Sequence, residues 1–180
     1  MTSVAYITAI TIGIFAVTVT SSTAAMKDLS TDQAQRVTEL TQSMDPLNKF
    51  RGVKTLTQYQ LVELLSAVGF KGSALKTAWA VAMRESRGHP TSHNQNASTG
   101  DNSYGLFQIN MLGSLGIDRR EKFNITNNAE LLDPVTNAQA AYYMTNGGSD
   151  WGSWGLGPNA YDGSAAEPAV TKFLAEFPKS

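Results

Sequence analysis

The hydrophobic pattern of this chain changes period once, and that change limits the fold to a mixed class. SALKTAWAVAMRES, residues 73–86, sets Leu75, Ala78, Trp79, Ala82 and Met83 at helical spacing, with Ser73 as the expected N-cap and Gly88 with Pro90 as the stop. A polar stretch rich in Gly, Asn and Ser runs from Thr91 to Ser103 and reads as a loop. SYGLFQIN, residues 103–110, then alternates with period two, which predicts a short hairpin or strand. Helical patterns flank this core signal. TQYQLVELLSAV is capped by Thr57, carries Leu61, Leu64, Leu65 and Val68 on one face, and ends at Gly69 in a left-handed position with Phe70 packing back. Asp133-Pro134 opens another helix, which runs through Ala138, Ala141, Tyr142 and Met144 to Gly147-Gly148, and a short last helix covers 168–177. The sum is an α+β chain, mostly α, with a small β-hairpin.

The N-terminal part follows other rules. Residues 1–26 contain no charged side chain, and VAYITAITIGIFAVTV, residues 4–19, is about the length of a short membrane span. Three roles fit: a membrane-inserting or anchoring helix, a cleaved signal, or a segment packed in a larger assembly. Small residues at 22–25 suit a cleavage site, whereas the lack of Lys or Arg ahead of the apolar run opposes a signal and Thr8, Thr11, Thr18 and Thr20 oppose a span. Ser30 and Gln33 are spaced as a capping box, and Val37, Leu40 and Met44 predict an amphipathic helix up to Asp45-Pro46. PLNKFRGVK, broken by Pro46 and Gly52, reads as a linker. The expected organisation is an apolar segment over 1–26, helix and linker over 27–54, a catalytic domain over 55–165, and a C-terminal helix and tail over 166–180.

Composition removes several chemistries. A net charge of -1 and a pI near 6.1 give no broad attraction to polyanions, which argues against nucleic acid as a partner. There is no cysteine, so disulfides, thiolate metal sites and cysteine nucleophiles are excluded. His89 and His93 have a spacing that suits a metal on a helix only, and Pro90 denies that helix. No metal and no cofactor is expected.

Glu85 is the residue best placed for acid catalysis. It lies in the last turn of its helix, about 20° and 60° around the axis from Ala78 and Ala82, on the flank of the apolar stripe where a cleft edge would fall. Flanking apolar surface and the negative end of the helix dipole both favour the protonated carboxyl, as a general acid for glycoside cleavage requires. Arg84 and Arg87 oppose this if they pair with it.

AVAMRES, followed after a polar loop by SYGLFQIN, resembles the signature of the lysozyme-like superfamily: Glu-Ser at a helix end, then a Gly-x-x-Gln segment lining a cleft. The resemblance runs from about Thr55 to Trp154, through QLVELLSAVGFKG and LLDPVTNAQAAYYM, and is greatest to soluble lytic transglycosylase-type domains of phage tail and virion proteins. It implies a lysozyme-like fold in which the hairpin lines the cleft. It implies cleavage of the MurNAc-GlcNAc β-1,4 bond of bacterial peptidoglycan, with Glu85 as the acid. Tyr104, Gly105, Gln108 and Asn110 would then line sugar subsites, joined by Ser86, Ser103 and Tyr142. Gly105, without a Cβ, would let a sugar ring approach, and the amides of Gln108 and Asn110 would suit an N-acetyl group. Trp151 and Trp154 in DWGSWG are either sugar-stacking faces or core. Tyr161 in AYDG is faintly similar to a transglycosylase Ala-Tyr-Asn-Gly segment.

The second carboxylate departs from the pattern. Animal-type lysozymes have Asp directly before the Tyr-Gly pair, where this chain has Ser103, and the nearest acid is Asp101. A retaining hydrolase needs its carboxyls roughly 5 Å apart. Asp101 serves that role only if its loop folds inward, and otherwise reads as a turn residue. Lytic transglycosylases need one Glu, acting as acid and then base while a substrate hydroxyl closes an anhydro ring. Three readings stay open: transglycosylase, muramidase-type hydrolase, and an inactive virion structural or peptidoglycan-binding protein. The expected partners are glycan strands, with other virion proteins or membrane met through 1–26. The expected place is the virion, acting at the host wall, with a secreted or membrane-anchored bacterial protein as the alternative.

Overall fold

The computed structural model describes residues 30–96, 98–157 and 166–179; the uncharged segment 1–26 and Tyr161 lie outside the described residues. The chain divides after Asn48 into two units. In the first, α1 (Thr31–Met44) starts as its spacing predicts: the Gln33 amide donates to Ser30 Oγ at 3.3 Å and the Ser30 amide to Gln33 Oε1 at 3.0 Å. Val37, Leu40 and Met44 on this helix are 41%, 62% and 80% exposed.

The second unit holds α2 (Gln58–Val68), α3 (Gly72–Ser86), β1 (His93–Asn96), β2 (Asp101–Tyr104), β3 (Ile109–Asn110), α4 (Gly113–Phe123), α5 (Pro134–Met144) and α6 (Ala166–Ala175), with short 3-10 turns at Asn128–Leu132 and Gly152–Trp154. The architecture is α+β and mostly helical. α3 is its centre. Both α2 and α6 pack on it, so Ala80 and Val81, off the predicted stripe, are as completely buried as Ala78, Trp79 and Ala82. Each large side chain removed from water here contributes roughly 1.5–3 kcal/mol. The Thr57 cap, completed to a capping box by Gln60, and Phe70, buried after Gly69 at φ 126°, are in their expected places. So does the start of α5, where Asp133 Oδ1 accepts from the Val135 and Thr136 amides and Pro134 takes the first turn.

Four expectations change. Ser73 caps nothing: α3 begins at Gly72 behind Lys71, without a side-chain cap. The polar stretch 91–103 is not a plain loop, because β1 and β2 form there and pair antiparallel from His93 with Tyr104 to Asn96 with Asp101. β3 adds to β2, Ser103 facing Asn110, so the sheet has three strands rather than a hairpin's two. SYGLFQIN itself forms the short hairpin its pattern predicts: the end of β2 and β3 are joined by a tight turn, closed by the Gln108 amide on the Gly105 carbonyl at 3.2 Å, with Leu106 and Phe107 buried inside it. Finally, the second half of the expected linker is packed: Phe50 is buried, Lys49 pairs with Glu63, and the Gly52 amide donates to Asp133 Oδ2.

Candidate active site

Two elements bring the site together. The end of α3 carries Arg84, Glu85 and Ser86, and the sheet with its 105–108 turn lies across from it. Ser86 joins them: its buried hydroxyl shares its one proton between the Leu106 carbonyl at 2.8 Å and the Ala82 carbonyl at 3.1 Å. Asn137 on α5 holds the same turn from behind. Fully buried, it accepts from the Phe107 amide at 2.9 Å and donates to the carbonyls of Tyr104 and Leu131, each at 2.9 Å.

Between them opens a cleft of about 810 Å³, into which Glu85, Asp101, Ser103, Gln108, Asn110 and Trp154 all face. Arg84, Leu115, Arg119, Met144 and Asp150 complete much of its wall. The Glu85 side chain is only 23% exposed. Burial raises its pKa above 4.5, the nearby Asp101 charge adds to that rise, and the Arg84 guanidinium opposes it. Arg84 donates from Nε to Glu85 Oε1 at 2.9 Å and from Nη2 to the same oxygen, and Nη2 also reaches the Trp154 carbonyl at 3.0 Å. Both contacts fall on Oε1, leaving Oε2 for a proton. Arg87, the other neighbouring cation, lies instead over the Phe173 ring, 4.9 Å from its centroid. Replacing Arg84 by Met removes the opposing charge, so the pH at which activity is lost on the alkaline side should move upward. A pH-rate profile with an unmoved alkaline limb would show that Arg84 does not tune Glu85.

Asp101 stands on β2, not in a turn, and is already engaged: Oδ1 accepts from Ser103 Oγ and Oδ2 from Asn94 Nδ2. Gln108 holds a left-handed φ of 46°, and its Nε2 donates to the carbonyls of Gly105 at 2.9 Å and Ser92 at 3.2 Å. Asn110 accepts from the Leu112 amide at 2.9 Å. Much of the amide capacity expected to greet an N-acetyl group is thus spent on the protein's own backbone.

Other sequence-derived candidates lie elsewhere. Gly105 does not face the cleft; a Cβ there would fall 2.3 Å from both Asn137 Nδ2 and the Leu131 carbonyl, so glycine makes room for the clamp and not for a sugar. Tyr104 stacks on His93 at 4.1 Å. Tyr142, half-buried, packs edge-on to Phe70 at 4.9 Å, and buried Trp151 stacks on Phe70 at 5.9 Å with its Nε1 donating to the Gly148 carbonyl; both pack against Phe70 and not along the cleft. Trp154 is shared: it lines the cleft while Nε1 donates to the Phe107 carbonyl at 2.9 Å. Sequence reasoning missed Asn137, Arg119 and Asp150. Of these, only Asn137 carried a signal, as an Asn at a buried position of an otherwise apolar helix face.

A desolvated carboxyl at a helix end, beside a small sheet in an open polar cleft, is the arrangement that acid catalysis of glycoside cleavage requires. A family model described as a lysozyme-like domain matches residues 62–156, more than half of the chain, and the chain belongs to that family. No curated protein and no solved structure matches it. Membership makes this an enzyme of the glycosidase or transglycosylase kind, with peptidoglycan glycan as its substrate.

Proposed function

We propose that the chain cuts the MurNAc-GlcNAc β-1,4 bond by transglycosylation, as a phage virion enzyme that opens the host wall locally during genome entry. The observation that carries the reaction is the setting of Glu85: burial raises its pKa and so favours the acid form, while Arg84 occupies one of its oxygens. Its proton passes to the glycosidic oxygen as the C1–O bond breaks, and the GlcNAc side leaves with a free 4-hydroxyl. The resulting Glu85 carboxylate takes the proton of the MurNAc 6-hydroxyl, whose oxygen closes on C1 to form the 1,6-anhydro ring. Glu85 is then protonated again, and no water is consumed. Asp101 faces the same cleft, so a hydrolase in which it orients water is the second reading; its two donors from Asn94 and Ser103 favour a fixed charge over a nucleophile. The virion reading is supported by the uncharged residues 1–26 ahead of a small wall-cutting unit.

Full-length protein should release soluble muropeptides from purified peptidoglycan. Folded protein that binds the wall and releases none would leave the inactive structural or binding protein instead. Antibody detection in purified virions tests the location; a mature chain starting near Ala25 in a bacterial envelope fraction would contradict it.

A further inference from the structure

Arg119 on α4 places a guanidinium in the cleft wall. Its Nη1 donates to the Asn110 carbonyl at the end of β3, and among the described residues no carboxylate pairs with it. Burial lowers its pKa. A partly buried cation without a counter-ion is unfavourable, and one carbonyl needs one donor, whereas a guanidinium offers five. Leu115, one turn earlier on α4, lines the same wall and is 43% exposed. A cation beside a small apolar surface thus faces the cleft, open for an anion that carries an alkyl group.

The sugar rings of the substrate are neutral, presenting hydroxyls and acetamides. Carboxylates enter only through the 3-O-lactyl branch of MurNAc, either as the lactyl carboxyl itself or on a peptide attached to it. We infer that Arg119 and Leu115 form a subsite for the carboxylate-bearing lactyl branch, so that the cleft distinguishes MurNAc-containing strands from all-GlcNAc polymers. The inference rests on the glycan-cleaving reading above.

Binding without turnover tests it. Full-length protein carrying Glu85→Gln is titrated calorimetrically with chitohexaose, with glycan strands stripped of peptide, and with peptide-bearing strands. Carboxylate-bearing strands should bind about tenfold more tightly than chitohexaose, and added salt should narrow that gap. Arg119→Gln, which keeps a donor for the Asn110 carbonyl, should abolish the preference, while Arg119→Lys keeps most of it. Stripped strands that bind as well as peptide-bearing ones assign the lactyl carboxyl; a preference confined to peptide-bearing strands assigns the peptide's carboxylates. Equal affinity for all three ligands with Arg119 intact, or a preference that survives Arg119→Gln, overturns the subsite and leaves Arg119 as a prop for β3. Failure to bind any of the three overturns the glycan reading as well. The salt and chitohexaose comparisons need only the Arg119-intact protein, so they stand even if Arg119→Gln does not fold.

Discussion

Glu85→Gln should lower the rate of glycan release by roughly 10³- to 10⁴-fold while leaving peptidoglycan binding in place. A positioned general acid alone contributes about 10²- to 10⁴-fold, and here the same side chain also acts as the base of the second step, which puts the loss toward the upper end of that range. The amide is nearly isosteric and still offers Arg84 an acceptor, so the cleft should keep its shape. The substitution also has a stability signature. Because burial raises the Glu85 pKa, the folded chain keeps a proton that the unfolded chain has released. Folding stability of the wild type should therefore fall as pH rises from 4.5 through the raised value, and the Gln variant should lack that fall. Denaturant titrations of both proteins at a series of pH values measure it; parallel curves would mean that Glu85 is not desolvated in solution.

Asn137→Ala should be the most damaging single change outside the acid. It strips hydrogen bonds from the Phe107 amide and from the Tyr104 and Leu131 carbonyls, in a place where Asn137 is fully buried. Leaving a buried polar group unsatisfied costs about 1–3 kcal/mol, so three together should cost about 3 kcal/mol or more. For a unit of this size that lowers Tm by roughly 10 °C. The turn it holds carries Gln108 and is bonded to Ser86, next to Glu85, so activity at temperatures below unfolding should fall as well. A loss under about 1 kcal/mol in calorimetry would mean that water replaces the amide and the clamp is dispensable.

These two residues mark the limits of what the amino-acid sequence made legible. Helices whose ends follow local chemistry were readable: Asp133-Pro134, the Thr57 cap and the Ser30 box form where the pattern places them, and the run through Trp79 is helical although it starts ahead of Ser73. The hairpin of β2 and β3 was readable in SYGLFQIN, but β1 and its pairing with β2 were not, because HNQN and DNSY are polar strands with no apolar alternation, paired through backbone and amide groups. α4 was silent for the opposite reason. GSLGIDRREKF buries only Gly116 and Phe123, too few to set a helical period. Gly105 illustrates a misread cause: its need for glycine was visible, but the group it admits is Asn137, 32 positions on, which no local pattern reveals. The position of Glu85 was legible from its helix, whereas its pairing with Arg84 rather than Arg87 depended on where Trp154 and Phe173 came to lie.

Mass spectrometry of the glycan ends left when full-length protein digests purified peptidoglycan tests the central claim, that Glu85 works alone as acid and then base. Non-reducing GlcNAc ends paired with 1,6-anhydro-MurNAc ends are the predicted result. Reducing MurNAc ends that take up ¹⁸O from labelled water would contradict it, making the enzyme a hydrolase and giving Asp101 a part in the chemistry.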